Sequence, residues 1–397
     1  KVRKLLSSAD QAADYFGKGS QLHNMAQKWF ANNKTTKVYA IALDDADAAV
    51  AASGDLTFSG TATAAGAVYL YIAGKRIAVP VAVDDTADDV GSAVETAVGT
   101  AVGDAKEYAV TASNAAGVVT FTARNAGEAG NDIDIRVNYN EGDELPAGVT
   151  VTPATGIVAM SSGATNPDIQ DAIDLFGDDW YNIITAPYTD ATNMTAIETE
   201  LADRFGPIRM LDGMYHCAND DTLGNLSTYG SGRNSPHVVC HEAHDVVSTP
   251  YELAAAVAGQ VAAEGAADPA RPFQTLELKN IVPAPSTERF TFLERNNTLL
   301  FDGIATVNVD AAGKVRIERC ITMYQTNVAG ADDIAYLDEN TLLTLMYIRY
   351  DWRNHILTKY PRAKLADDGV RAAPGQSIMT PKIGKAEALA KFRQWES

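Results

Sequence analysis

Histidine and cysteine carry the first possible chemistry in this chain. His216-Cys217 is followed by His237, Cys240, His241 and His244. These are ligand types that zinc prefers. Cys240, His241 and His244 lie close together, and Cys217 ends the strand expected beside them. A metal-binding module using Cys217, Cys240 and His241 is therefore one reading. The spacing argues against it. A zincin helix needs two histidines four apart with a glutamate between them. Here Glu242 lies between histidines three apart, in a segment that leaves a strand, and no CxxC occurs. Cys217 and Cys240 then read as small buried hydrophobes.

Nucleophilic chemistry on an α/β sheet would need Ser, His and Asp at strand ends together with an oxyanion hole. Asp212, His216, His241 and Ser231 are the side chains that a serine hydrolase could recruit, but no G-x-S-x-G elbow accompanies them. Gly230-Ser231-Gly232 is not followed by Lys-Ser/Thr, so it is not a phosphate loop. Acidic pairs such as Asp84-Asp85, Asp178-Asp179 and Asp220-Asp221 lack the alternate oxygens, central Gly and terminal Glu of a calcium loop. They read as solvated turns and helix caps. The expectation is no catalytic residue, no metal ligand and no cofactor.

The elements that position these residues change character along the chain. In residues 1–43, Ser20 caps a helix bearing Leu22, Met25, Ala26, Trp29 and Phe30, Asn32-Asn33 ends it, and Lys37–Leu43 reads as a buried strand. Residues 44–165 are rich in Ala, Gly, Thr, Val and Asp. Short strand patterns recur there at 55–58, 67–72, 76–83, 108–112, 118–123 and 133–139. Ala73-Gly74-Lys75 and Asn114–Gly117 are hairpin-like turns, and one helix at about Thr86–Val102 carries Val90, Val94, Ala97, Val98 and Ala101 on one face. This segment is expected to be a compact, mostly antiparallel α+β domain inserted into a larger one and set apart from it.

From Asn166, helices at 168–176, 195–205, 222–229 and 250–264 alternate with strands at 180–185, 209–216 and 237–240. That rhythm argues a mostly parallel sheet with helices on its faces. Beyond Pro272 come a hairpin (305–309 and 314–321 around Asp310–Gly313), a helix capped by Asp338 and stopped by Pro361, and a last helix at 384–395. That last helix has Leu389 and Phe392 on one face and Lys385 and Arg393 exposed.

The 397 residues are 46% hydrophobic and 21% charged, an ordinary globular composition with room for two or three domains. No run approaches the ~20 apolar residues of a membrane helix, no signal-peptide pattern follows Lys1, and three cysteines are too few for a disulfide scaffold. The net charge is −19, and residues 38–360 hold 18 basic against 45 acidic residues. Such a body repels phosphate, so direct nucleic-acid binding is not expected. The ends are basic: Arg362, Lys364, Arg371, Lys382, Lys385, Lys391 and Arg393 face only four acids in 361–397. Basic ends on an acidic middle suit head-to-tail self-association.

Several long blocks are more specific than any of these motifs. DPARPFQTLELKNIVPAP (268–285), ERFTFLERNNTLLFDGIATVNVDAAGKVRIERCITMYQTN (288–327), YLDENTLLTLMYIR (336–349), KYPRAKLADDG (359–369) and PGQSIMTPK (374–382) stand in this order. They are joined upstream by GSQLHNMAQKWFANN (19–33), AGEAGNDIDIRVNY (126–139), NPDIQDAIDLFGDDWYNIITAPYTD (166–190) and DRFGPIRM (203–210). In wording and order they resemble the contractile phage tail sheath protein, in its Mu-like myophage branch, over nearly the whole chain.

The resemblance implies an α/β core of subtilisin-like fold without proteolysis (1–43 and 166–285), an inserted outer β-rich domain (44–165) and a C-terminal α+β domain facing the tail tube (286–397). It implies a structural subunit of the virion, assembled in the bacterial host cytoplasm, that polymerises as hexameric rings around the tail tube and contracts to drive the tube through the host envelope. Its partners would be other copies of itself, the tail tube protein, and baseplate and tail terminator proteins. Membrane insertion is not implied. The seven basic residues of 361–397 would form the tube interface. Relatives begin earlier and continue further, so arms that add strands to neighbouring subunits would lie outside these residues. A subtilisin-fold serine hydrolase and a Cys/His metal-binding module are the alternatives.

Overall fold

A computed structural model describes residues 2–101, 103–104, 106–371 and 373–396. The chain opens with β1 (Arg3–Leu6), α1 (Ala9–Phe16), α2 (Gln21–Asn32) and β2 (Val38–Ile41). Ser20 caps α2 as its type and position predict, its side chain accepting from the His23 N–H. The strand expected to be buried is not. β2 pairs antiparallel with β1 in a separate two-stranded sheet, where Ala40 is buried and Tyr39 is exposed. One face of this ribbon covers α1 and α2; on the other, Tyr39 meets Tyr181 edge-on, Arg3 reaches Asp179 and Tyr181, and Ile41 packs toward the parallel sheet.

The next segment holds β3 (Ser53–Gly60), β4 (Gly66–Ile72), β5 (Lys75–Val81), α3 (Ala87–Val98), β6 (Val110–Ala115), β7 (Val118–Ala123), β8 (Ile135–Val137), β9 (Val149–Thr152) and β10 (Ile157–Val158). They form two four-stranded sheets, β10-β8-β4-β5 and β6-β7-β3-β9, antiparallel at every described pairing. One face of α3 packs on them. Val90, Val94 and Val98 are fully buried against Leu56, Phe58, Leu70 and Phe121. Thr86 and Asp89 close a reciprocal cap, and the helix stops at Gly99. The expected end at Val102 lies outside the described residues.

Both hairpins turn on an Ala-Gly pair. Ala73 and Gly74, and again Ala116 and Gly117, have φ between 48° and 85°, the left-handed pair that a two-residue hairpin loop requires. The segment's entry and exit are themselves paired: Val50 N–H donates to Ala164 O at 3.0 Å, and Ser53 and Ser161 exchange two bonds of 2.9 Å. The unit is not set apart from the rest. A Cβ on Gly74 would lie 2.7 Å from Val282. The Lys75 ammonium donates to Asn24 Oδ1 (2.9 Å) and Gln27 Oε1 (3.0 Å) of α2. Tyr139 reaches Pro283 O at 2.6 Å, and Arg136 reaches Glu288 at 3.2 Å.

Then follow α4 (Gln170–Ile173), β11 (Ile183–Thr185), α5 (Ala191–Phe205), β12 (Met214–Asn219), α6 (Leu223–Ser231), β13 (Val238–Glu242) and α7 (Pro250–Ala267). The strands form a parallel sheet in the order β11-β12-β13, as the alternating pattern predicts. α4 and β11 are shorter than expected, and β12 begins at Met214 rather than 209. The fully buried Arg204 accounts for part of this, because its guanidinium donates to the carbonyls of Gly177 and Asp179 and holds that stretch as loop. Tyr215, Cys217, Val238 and Cys240 face α5 and α6. Met214, Ala218 and Val239 face α7, which is buried from Pro250 to Gly259.

The remaining elements are α8 (Phe292–Glu294), which runs into a π-helical turn at Arg295–Leu299, β14 (Thr306–Val309), β15 (Val315–Arg319), α9 (Glu339–Lys359), β16 (Lys364–Leu365), β17 (Ile378–Met379) and α10 (Pro381–Trp395). β14 and β15 form the expected hairpin. Ala305, just before β14, bridges β13 in parallel, so this hairpin continues from the sheet edge. Val307, Ile317, Ile321 and Leu342 share one apolar cluster with α7 and β12. Asp338 occupies the cap position of α9 without capping it, because its carboxylate meets Arg319 at 3.2 Å. No helix among the described residues is long and apolar enough to cross a membrane.

Candidate functional site

The six His and Cys residues of the sequence motif are dispersed by strand alternation. Cys217 and Cys240 are register partners on the face covered by α5 and α6. The Cys240 thiol, and then burial, push the Cys217 thiol well above its ordinary range. His216 and His241 lie on the opposite face. His237 sits against Phe205 with ring centroids 4.9 Å apart, and burial followed by the Arg349 charge lowers it to about 4. His244 is half-buried, stacked on Phe290 and paired with Asp220 at 3.2 Å, a contact that raises its pKa. Among the described residues no group of three or more His, Cys, Asp or Glu is arranged to hold a metal ion.

The hydrolase candidates are not assembled as a triad either, although His216 and His241 stack on one another. Asp212 is buried against Arg349 at 2.9 Å. His216 faces Glu339 at 2.9 Å. His241 has Cys320 at 3.8 Å. Ser231 donates to the Thr228 carbonyl at 3.3 Å on the exposed end of α6. Each side chain has a neighbour other than the triad partner it would need.

The C-terminal basic residues make a different kind of surface. Arg362 and Lys364 flank the start of β16, Arg371 lies on the β16–β17 connection, and Lys382, Lys385, Lys391 and Arg393 are on α10. Six of the seven are exposed and make no ion pair among the described residues. Lys391 is the exception: it is buried, with Nζ 2.8 Å from Asp351 of α9. Trp395 Nε1 donates to the same carboxylate oxygen at 2.7 Å.

One acid of this region is drawn inward. Glu387 of α10 takes His355 (2.7 Å) and Lys359 (2.8 Å) from α9 and the hydroxyl of Tyr360 (2.8 Å), the residue just past its end. Lys359, then His355 and Tyr360, hold its pKa down at about 2. Asp368 accepts from the backbone N–H of Lys382 at 3.0 Å. Six exposed cations then stand against the three exposed acids Asp367, Asp368 and Glu396, beside the exposed Leu389 and Phe392. Sequence reading missed Glu387 and Asp351 as organisers. The signal was Glu387 itself, a lone acid within a basic helix.

The comparisons with known proteins cover the parallel sheet and, in one case, nearly the whole chain. The phage tail sheath protein central domain matches residues 162–323, from the parallel sheet through the β14–β15 hairpin. The Mu-like prophage tail sheath protein of Haemophilus influenzae is 38% identical over 391 residues, spanning 98% of this chain and 78% of that protein.

The chain belongs to the phage tail sheath protein family. The sheath protein is a structural component of the virion tail and not an enzyme. Among solved structures, the sheath tail protein of Listeria innocua aligns with 90% of this chain and 73% of its own, at 11% identity and a TM-score of 0.45. A chain of the anti-feeding prophage baseplate aligns with 48% of this chain and 49% of its own, at 15% identity and a TM-score of 0.35.

Proposed function

We propose that the chain polymerises as hexameric rings stacked helically around the tail tube, and that contraction of this lattice drives the tube through the host envelope. Contraction would move subunits as rigid bodies into a tighter lattice, with the energy stored in interfaces between them. Baseplate and tail terminator proteins would hold the two ends of the sheath, with assembly in the host cytoplasm. In this reading residues 1–43 and 166–285 are the core, of subtilisin-like architecture; its support is three parallel strands with helices on both faces. Residues 44–165 are the outer domain, supported by their separate apolar core. Residues 286–397 face the tube.

The observation that carries the tube contact is the surplus of six exposed cations over three exposed acids on 362–396, to which the turning inward of Glu387 between α9 and α10 contributes. One exposed ion pair contributes only ~0–1 kcal/mol. Repetition around a ring and along a stack adds such terms, and salt weakens them. Lys382→Glu together with Lys385→Glu, in the full-length protein, is expected to fold yet fail to co-assemble with purified tube protein at low salt, as read by sedimentation and electron microscopy. Normal co-assembly of this variant at both low and high salt would remove these lysines from the tube interface.

A further inference from the structure

Of the three cysteines, two are set against each other by strand register. Cys217 of β12 and Cys240 of β13 are direct partners across a parallel pairing. Neighbouring strands lie about 4.8 Å apart, and a disulfide joins residues whose Cα atoms are about 4.4–6.8 Å apart. Side chains of register partners leave the sheet on the same face. Both cysteines accordingly share one apolar cluster with Ile197 and Leu201 of α5 and Leu226 of α6.

Neither thiol is committed elsewhere. The Cys217 sulfur lies 3.9 Å from the Val239 carbonyl, and the Cys240 sulfur 4.0 Å from the His241 carbonyl. These are weak contacts, because a thiol is a weak donor. The two thiols also contact one another. Joining them therefore breaks no strong hydrogen bond and leaves no charge buried. Cys320 is not a rival partner. It lies in the cluster on the α7 face of the same sheet, and its thiol donates to Glu339 at 2.7 Å.

We propose that Cys217 and Cys240 are a dithiol–disulfide pair, separate in a reducing compartment and joined when the chain folds in the presence of a small-molecule disulfide such as oxidised glutathione. One cysteine thiolate attacks a glutathione sulfur and expels one glutathione thiolate. The other cysteine then attacks the mixed disulfide at its protein sulfur and expels the second. Two S–H bonds of the chain are lost and one S–S bond forms. The two protons and two electrons leave on two molecules of reduced glutathione.

Both residues are fully buried, so exchange takes place while the chain is folding or transiently open. The folded sheet then decides whether the bridge is kept. Where native geometry holds the two cysteines at bonding separation, folding favours the bridge and the bridge favours folding by the same factor. The ring that it closes contains α6 and the turns on either side, so the β12–α6–β13 crossover becomes a covalent loop. The inference does not rest on the tube contact.

The full chain, refolded at neutral pH in a buffer of reduced and oxidised glutathione, tests the pairing against a second sample held in the same buffer with concentrated guanidinium chloride. Acid quenching, alkylation and peptide mass mapping of the soluble chain read the outcome. The ratio of Cys217–Cys240 bridge to free dithiol should be roughly tenfold or more higher in the refolded chain than in guanidinium, with Cys320 alkylated as a free thiol. A smaller difference, or a bridge that includes Cys320, overturns the pairing. Should refolding give no soluble chain, the native chain equilibrated in the same glutathione buffer supplies the ratio, judged by the same two outcomes.

Discussion

Lys391 of α10 and Asp351 of α9 meet at 2.8 Å, and this pair turns a lysine of the basic segment inward while its six companions face out. The Lys391 stem is buried and its ammonium has a single carboxylate. The long helix that leaves the core therefore holds the last helix by a polar pin.

Removing that pin should release α10. Asp351→Asn takes the counter-charge from a buried lysine and weakens the acceptor of Trp395 Nε1. A loss of about 1 kcal/mol in the stability of the C-terminal region is expected, as for a charged hydrogen bond with partial solvent access. Limited trypsin digestion should cut within 382–393 faster in this variant. Unchanged cleavage there would mean that α10 is held by other contacts.

Glu387 gives the same helix pair an acid limit. Its pKa is depressed to about 2 by Lys359, His355 and Tyr360, against about 4.3 in an unfolded chain. A carboxylate depressed by folding contributes stability that is present above its unfolded value and lost as pH falls through its folded one. Melting of the wild-type chain should therefore move to lower temperature between about pH 4.5 and 2. Glu387→Gln should be less stable at neutral pH and lack that part of the acid response. Parallel melting curves for the two chains across this window would contradict the assignment.

Asp132 should act in the opposite sense. It lines a polar cavity of about 360 Å³ with Asp220, Asp221, Asn166 and Tyr251, where the segment of paired sheets meets the parallel sheet. Burial first, then Asp220, Asp221 and Glu128, raise it to about 7. The folded chain then binds a proton that the unfolded chain has already lost, so stability falls as pH rises from about 4 to 7. Asp132→Asn should raise stability at pH 8 by on the order of 2 kcal/mol and have little effect at pH 4. Denaturant titrations at the two pH values measure this. An equal effect at both would show that the carboxyl is not strained by its neighbours.

Elements governed by local signals were legible in the sequence. Ser20, Thr86 and Thr222 begin helices because each places a hydroxyl oxygen on the backbone three residues on. Both Ala-Gly turns and the β14–β15 hairpin follow from turn chemistry and strand alternation. What failed depends on distant partners. β1 was unread because four residues become a strand only against β2, and β9 and β10 likewise need β3 and β8.

Asp338 has the residue type of a cap, but Arg319 takes its carboxylate. Leu389 and Phe392 have helical spacing, yet that face is left open while Glu387 and Lys391 face α9. Among the surface residues, the basic cluster was visible as composition. The removal of Lys391 from it, and the internal use of the acids, were not, because both require α9 beside α10.

The paired entry and exit of the two-sheet segment make it separable. With Val50 and Ala164 bonded across a single ladder rung, the surrounding chain sees two ends about 5 Å apart. A replacement polypeptide whose own termini meet at that spacing can enter there without altering the path of the flanking strands. The same two positions are a practical place to graft a foreign domain into the chain.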